Sequence, residues 1–197
     1  MKKLVLATNN KGKIVELKKL LGGLPFEVTS LQDYPEIPEI SETGSTFKEN
    51  ALIKARAAAQ YTGHLALADD SGLQVDALDG APGIYSSRFA GPEKDDAANN
   101  KKLLNLMKGV PVEKRKARFR CAVAVVGGDG LLQGVEGVCE GRIAFEPRGE
   151  MGFGYDPIFI VEGFQGLTMA ELGPEVKNRI SHRAKAFGKA ISILKNY

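Results

Sequence analysis

The sequence predicts a mixed-sheet α/β fold, on three observations. Residues 4–7 and 65–68 are short, wholly apolar runs of the kind that form strands buried on both faces. Amphipathic helical stretches alternate with strands through the first half of the chain, the pattern of α/β proteins. Later, two β-rich stretches flank Gly127-Gly-Asp-Gly130, a hairpin turn signature that adds an antiparallel pair.

Each element has its own reason. After residues 4–7 comes Thr8-Asn-Asn-Lys-Gly-Lys13, and then a helix whose apolar stripe is Ile14, Leu17 and Leu21. Gly22 and Gly23 stop it. Phe26 and Val28 alternate with Glu27 and Thr29, which predicts a second strand. Residues 30–43, with Pro35, Pro38 and several acids, read as irregular. Thr46-Phe-Lys-Glu49 predicts a capping box that opens an Ala-rich helix to about Tyr61, ended by Gly63. The strand at 65–68 delivers Asp69-Asp70-Ser71-Gly72 to its carboxyl end, and Leu73, Val75 and Ala77 alternate in a following strand. Gly80-Ala-Pro-Gly83 is a loop, and Asp95 or Asp96 caps a helix through Met107. Residues 119–126 are β in character, with a return strand through Val135, Cys139 and Ile143. Residues 157–161 make a further strand. Ser181 caps a final helix carrying Ala184, Phe187, Ile191 and Leu194 on one face. No repeat, low-complexity tract or linker divides the chain, so residues 1–197 read as one domain, with room for two lobes around one cleft.

Composition narrows the function. Hydrophobic residues are 43% and charged residues 26%, which excludes general disorder. Lys plus Arg is 27 against 24 for Asp plus Glu, so the net charge is +3, too small a bias to argue for nucleic acid. Two cysteines, Cys121 and Cys139, form no disulfide framework and fit a reduced, cytoplasmic setting. No apolar run approaches the ~20 residues of a membrane span, and the N-terminal run is too short for a signal-peptide core.

Several groups of residues can carry chemistry. Thr8 to Lys13 lies between a buried strand and a helix start, where free N–H groups and the helix dipole favour anions. Lys13 there opposes the dipole, and a bound phosphate would offset the conflict; an ordinary turn with an exposed lysine is the competing reading. It is no P-loop, because Ala7 and Ile14 occupy the required Gly and Ser/Thr positions. Asp69 and Asp70 are the leading catalytic candidates. Neighbours in a strand point to opposite faces, so one can serve a cleft while the other buttresses it; an Asx turn opening a Ser71-Gly72 bend is the alternative. Glu36, Glu39 or Glu42 can supply a second metal ligand from the loop. Lys54 on the Ala-rich helix can reach a phosphate. Phe153-Gly-Tyr-Asp-Pro157 offers an aromatic face for a base, or a core cluster beside a turn. Ser181-His-Arg183 again places positive charge at a helix start. Lys114-Arg-Lys-Ala-Arg-Phe-Arg120 is the one plausible nucleic-acid patch; a solvated sheet face with Phe119 and Cys121 turned inward is the simpler reading.

Taken in order, these segments resemble a family. Thr8-x-Asn10-x-x-Lys13, Glu42-Thr-Gly-Ser-Thr-Phe-Lys-Glu-Asn-Ala-Leu-Ile-Lys-Ala55, Ala68-Asp-Asp-Ser-Gly72, Gly80-Ala-Pro-Gly83, Phe153-Gly-Tyr-Asp-Pro157 and Ser181-His-Arg183 follow one another as in the inosine/xanthosine triphosphate pyrophosphatases. The resemblance runs end to end. It implies a long mixed central sheet with two α/β lobes flanking a substrate cleft. It also implies a homodimer, Mg²⁺ dependence, and hydrolysis of ITP, dITP and XTP to monophosphate and pyrophosphate. By the same resemblance Thr8, Asn10 and Lys13 bind the triphosphate, with catalytic Lys54 beside them, and Asn9, Lys11 and Gly12 complete that substrate-binding segment. Glu42 and Asp70 hold the metal, and Asp70 activates water. Ser71 contacts phosphate. Phe153, Gly154, Tyr155, Asp156, Lys177, His182 and Arg183 form the base pocket. A pyrophosphatase for other modified nucleotides and a non-catalytic nucleotide sensor are the alternatives; a substrate panel separates them.

Overall fold

The computed structural model describes residues 1–127 and 132–197. The strands are β1 (Lys2–Leu6), β2 (Phe26–Ser30), β3 (Leu65–Val75), β4 (Lys116–Val126), β5 (Leu132–Ile143) and β6 (Phe159–Val161). Among the described residues they form one sheet in the order β2-β1-β3-β4-β5-β6. β1 pairs in parallel with β2 and β3, and β5 pairs antiparallel with β6, so the sheet is mixed as expected. The helices are α1 (Lys11–Leu20), α2 (Phe47–Thr62), α3 (Asp96–Leu106), α4 (Met169–Ile180) and α5 (His182–Lys195). Beyond Gly127, the turn expected at Gly127-Gly-Asp-Gly130 lies outside the described residues.

The chain divides into two compact units. The first comprises Met1–Asp70, Cys121–Glu136 and Ala186–Tyr197; the second comprises Ser71–Arg120 and Gly137–Lys185. Each has its own core. In the first, Leu4 and Leu6 of β1, Leu17 and Leu21 of the α1 stripe, Leu67, Val125 and Phe187 pack together. In the second, Leu73, Val75, Leu103, Met107, Ile158, Phe159 and Met169 do so. Each such side chain, fully buried, contributes roughly 1.5–3 kcal/mol. These cores hold the strands that carry the polar residues discussed below.

The structure departs from the sequence reading in several places. The strand expected to end at residue 68 and restart at 73 is one continuous β3 through Asp69, Asp70, Ser71 and Gly72. The burial of Leu65, Leu67, Leu73 and Val75 on both sides outweighs the local turn preference of Asp-Ser-Gly. Ala77 then falls in a short 3₁₀ turn, Asp76–Leu78. The box at the start of α2 is only half formed. Thr46 Oγ1 accepts from Glu49 N at 3.1 Å, but the Glu49 carboxylate takes Ser45 N and Ser45 Oγ, both at 2.7 Å. Finally, α4 was not expected at all. Gly173 (φ 76°, ψ 167°) and Pro174 break it into two abutting stretches, which hides its period. Its legible signal is the capping box of Thr168 and Glu171, which is fully formed.

Two arginines of the basic run 114–120 are spent on structure, while Lys114 and Lys116 are exposed. Arg115 is buried and donates to the carbonyls of Met107, Val110, Ile143 and Ala144. Arg118 pairs with Asp76 and Glu140. Phe119 and Cys121 point inward, as the simpler reading requires.

Candidate active site

The first unit places Thr8 to Lys13 at the join of β1 and α1. The helix begins earlier than expected, at Lys11, so Lys11, Gly12 and Lys13 form its first turn. Asn10 is the N-cap and its Oδ1 accepts from Lys13 N at 3.0 Å. A Cβ at residue 12 would sit 3.3 Å from that oxygen, so glycine there leaves the cap unhindered. Thr8 Oγ1 accepts from Asn10 N at 3.2 Å, and the exposed Asn9 lends its carbonyl to Gln32. No acidic residue occupies the first turn of α1. The Lys13 ammonium reaches across to Asp69, 2.7 Å away. A carboxylate that is 1% exposed thus anchors a lysine at the positive end of a helix.

The neighbouring residue of β3 points the other way. Asp70 is 8% exposed, and its Oδ2 accepts from Asn50 Nδ2 at 3.1 Å. Its Oδ1 lies 3.8 Å from Lys54 Nζ, and the same ammonium is 2.8 Å from Glu42 Oε1. Lys54 therefore stands between two carboxylates that would otherwise repel. Burial alone raises the Asp70 pKa; Lys54 opposes this, Glu42 adds to it, and the net direction is up. For Lys54, burial pulls the pKa down, but Asp70, Asp69 and Glu42 outweigh it and the ammonium is held above its ordinary value. A buried carboxylate with a raised pKa beside a firmly charged lysine is equipped to accept a proton from water.

Asn50 is a site residue that the sequence reading missed. Its Nδ2 holds Asp70 and its Oδ1 accepts from Gly44 N at 2.8 Å, tying the loop that carries Glu42 to α2. A signal was present: Phe47, Asn50 and Ala51 follow the buried i, i+3, i+4 stripe of α2, and an amide on an apolar stripe needs a partner.

In the second unit Phe153 is 54% exposed. The Lys177 ammonium lies 4.2 Å and the Arg183 guanidinium 5.1 Å from its ring centroid, both within cation–π range. Lys177, delivered by α4, also pairs with Asp156. Asp156 in turn accepts from Phe153 N at 3.0 Å. Arg183 donates to Ser71 Oγ at 3.2 Å. His182 is buried and stacks on Phe119, ring centroids 4.8 Å apart. Tyr155 donates its hydroxyl to the Ser86 carbonyl, and burial pushes its pKa well above the usual phenol value. Phe153, Asp156, Lys177, Arg183 and Ser71 are thus linked in one cluster, while Tyr155 and His182 pack on Ser86 and Phe119. In the first unit, the group around Thr8–Lys13 reaches Asp69, and the Glu42–Lys54 group reaches Asp70.

A mixed-sheet α/β chain with lysine–carboxylate pairs in one unit and an exposed aromatic residue beside two cations in the other has the parts of a nucleotide-handling protein. The chain belongs to the Ham1 family, whose sequence model matches residues 4–193. A dITP/XTP pyrophosphatase from Desulforamulus reducens is 57% identical over 192 residues, covering 98% of this chain and 95% of that one. One from Geobacter sulfurreducens is 52% identical, over 100% of this chain and 96% of the relative. The structure of a HAM1 protein from Coxiella burnetii matches with a TM-score of 0.93 and 44% identity, over the whole of both chains.

Proposed function

We propose that this protein is a nucleoside triphosphate pyrophosphatase that hydrolyses the non-standard purine nucleotides ITP, dITP and XTP to monophosphate and pyrophosphate. The relatives' names support the substrate class. The observation that carries the chemistry is the buried Asp70 carboxylate held by Asn50, with Lys54 between it and Glu42.

The bond that breaks links the α- and β-phosphates; water supplies the new P–O bond, and pyrophosphate leaves. Asp70 takes the proton from the attacking water, its raised pKa matching it to that task. Lys13 and Lys54 counter the negative charge of the phosphate chain, and α1 turns its free N–H groups toward an anion. Ser71 contacts phosphate.

Glu42 and Asp70 suit Mg²⁺. They supply hard oxygen donors, and an ammonium already bridges the two carboxylates. No cluster of three or more carboxylate, histidine or cysteine ligands occurs among the described residues. Two carboxylates completed by substrate phosphates is the manner of Mg²⁺ binding rather than that of a closed protein cage. Bound there, Mg²⁺ would polarise the phosphoryl oxygens and neutralise charge.

The base rests on Phe153, with Lys177, His182 and Arg183 as donors and Gly154 to Asp156 shaping the bend. Inosine and xanthosine bear a 6-keto acceptor where adenosine bears an amine, so donors here favour the former and leave the latter mismatched. The family resemblance supports a homodimer, and two buried free thiols suit the cytoplasm. Within this reading residues 1–197 work as one catalytic domain built from the two units.

Pyrophosphate release from ITP, XTP, dITP, GTP and ATP in parallel tests the assignment. The three non-standard nucleotides should turn over fastest, and exhaustive chelation should abolish release until Mg²⁺ is restored. Binding without turnover would instead make the protein a sensor.

A further inference from the structure

The bend that carries Phe153 is gripped from outside by one helix. Gly154 has φ +63° and no side chain, so nothing of its own fixes the peptide behind the aromatic ring. Two α3 side chains do so from i and i+4, one turn apart on the same face. Asp96 Oδ2 accepts from Gly154 N at 2.7 Å. Asn100 Nδ2 donates to Gly154 O at 2.9 Å. Both polar groups of one glycine are thereby held by a single helix. Asn100 is 9% exposed, and its Oδ1 is buried with no hydrogen-bond partner among the described residues. An amide with half of its capacity unmet is a poor choice for packing, where leucine of similar volume leaves nothing unsatisfied. What the asparagine adds is the donor to Gly154.

We propose that Asp96 and Asn100 are positioning residues for base recognition: by clamping the Gly154 peptide they set the orientation of the Phe153 ring on which the purine rests. The proposal depends on the reading of Phe153 as the base platform. Neither residue needs to touch substrate. Both act by keeping the ring within reach of Lys177 and Arg183, which lie 4.2 and 5.1 Å from its centroid. A ring free to swing with a flexible glycine would lose ordering entropy on each binding event, and the loss would fall on substrate binding rather than on the proton transfer at Asp70.

Steady-state kinetics with XTP test this on four variants, with thermal melting of each. Asp96→Ala and Asn100→Leu should raise KM roughly tenfold, the scale of one lost hydrogen bond, with kcat within about twofold of wild type. Asp96→Asn keeps an acceptor and should return KM to within about threefold. Asn100→Leu should melt close to wild type, because removing the unsatisfied oxygen offsets the lost hydrogen bond to Gly154. Phe153→Ala is the reference and should raise KM at least as much. If Phe153→Ala raises KM while Asp96→Ala and Asn100→Leu do not, the clamp is overturned and the platform stands. If Phe153→Ala leaves KM unchanged, the platform reading fails and the clamp fails with it. A fall in kcat that tracks lost melting temperature, without rescue by Asp96→Asn, would make both residues structural and also overturn the proposal. Asp96 is exposed, so its variants carry the test even if Asn100→Leu does not fold.

Discussion

Asp70 holds its proton more tightly when folded than when unfolded, because burial outweighs the help of Lys54. The sign follows from linkage: a raised carboxyl pKa costs stability as pH rises through the folded value, and the cost persists above it. Asp70→Asn removes that cost along with the base. In metal-free buffer it should melt at or above the wild-type temperature near neutrality, and with Mg²⁺ restored it should lose ~10²-fold or more in kcat; turnover within about tenfold of wild type would exclude the general-base role. Asn50 donates to the charged form of Asp70, so Asn50→Leu should raise the Asp70 pKa further. The acid limb of the kcat profile should move to higher pH, because a base works only when deprotonated. An unmoved limb would mean that Asn50 merely packs.

The start of α2 matters beyond the helix itself, because α2 carries Asn50 and Lys54. Glu49 is held below the ordinary carboxylate range, first by the Ser45 side chain and then by the Ser45 backbone N–H. A depressed carboxyl pKa stabilises the fold above the unfolded value, and that stability is lost as pH falls through the folded one. Glu49→Gln should therefore melt below wild type near neutrality, with the gap closing as pH falls below the carboxylate range. A gap that does not change with pH would place the effect in packing instead of charge. Asp33 and Glu171 work in the same direction, each lowered chiefly by a backbone N–H. The connecting elements of both units are therefore tied by ionised carboxylates.

Across the whole molecule the proposed roles fall into two sets, and each set lies in one unit apart from Ser71. Lys13, Lys54, Glu42 and Asp70, in the first unit, serve what every nucleoside triphosphate shares. Phe153, Lys177, His182 and Arg183, in the second, serve the base. Lys13→Ala should therefore depress kcat/KM for ITP and ATP by similar factors. Arg183→Ala should depress ITP much more, shrinking the ITP-to-ATP ratio roughly 10–150-fold, the equivalent of one charged hydrogen bond of ~1.5–3 kcal/mol. Equal losses on the two substrates would reassign Arg183 to phosphate or to structure, a role for which its bond to Ser71 would be the reason.

The sequence by itself determined the class of fold, the order of most elements and most of the residues proposed for the site, though not Asn50. These rest on local signals: apolar runs, helical stripes, Asn10 and Thr46 as caps, and short motifs that keep their order along the chain. It also offered opposite faces for Asp69 and Asp70, an alternation that holds only because β3 continues through both. Only the tertiary structure decided which faced what. Asp69 took Lys13, 56 positions away, and Asp70 took Asn50 and approached Lys54. It also ran β3 straight through the Asp-Ser-Gly segment and bent α4 at Gly173, against local preference in both places. The physical reason is the same throughout. Burial energy and long-range ion pairs depend on neighbours that chain folding brings together, and no window of sequence contains them.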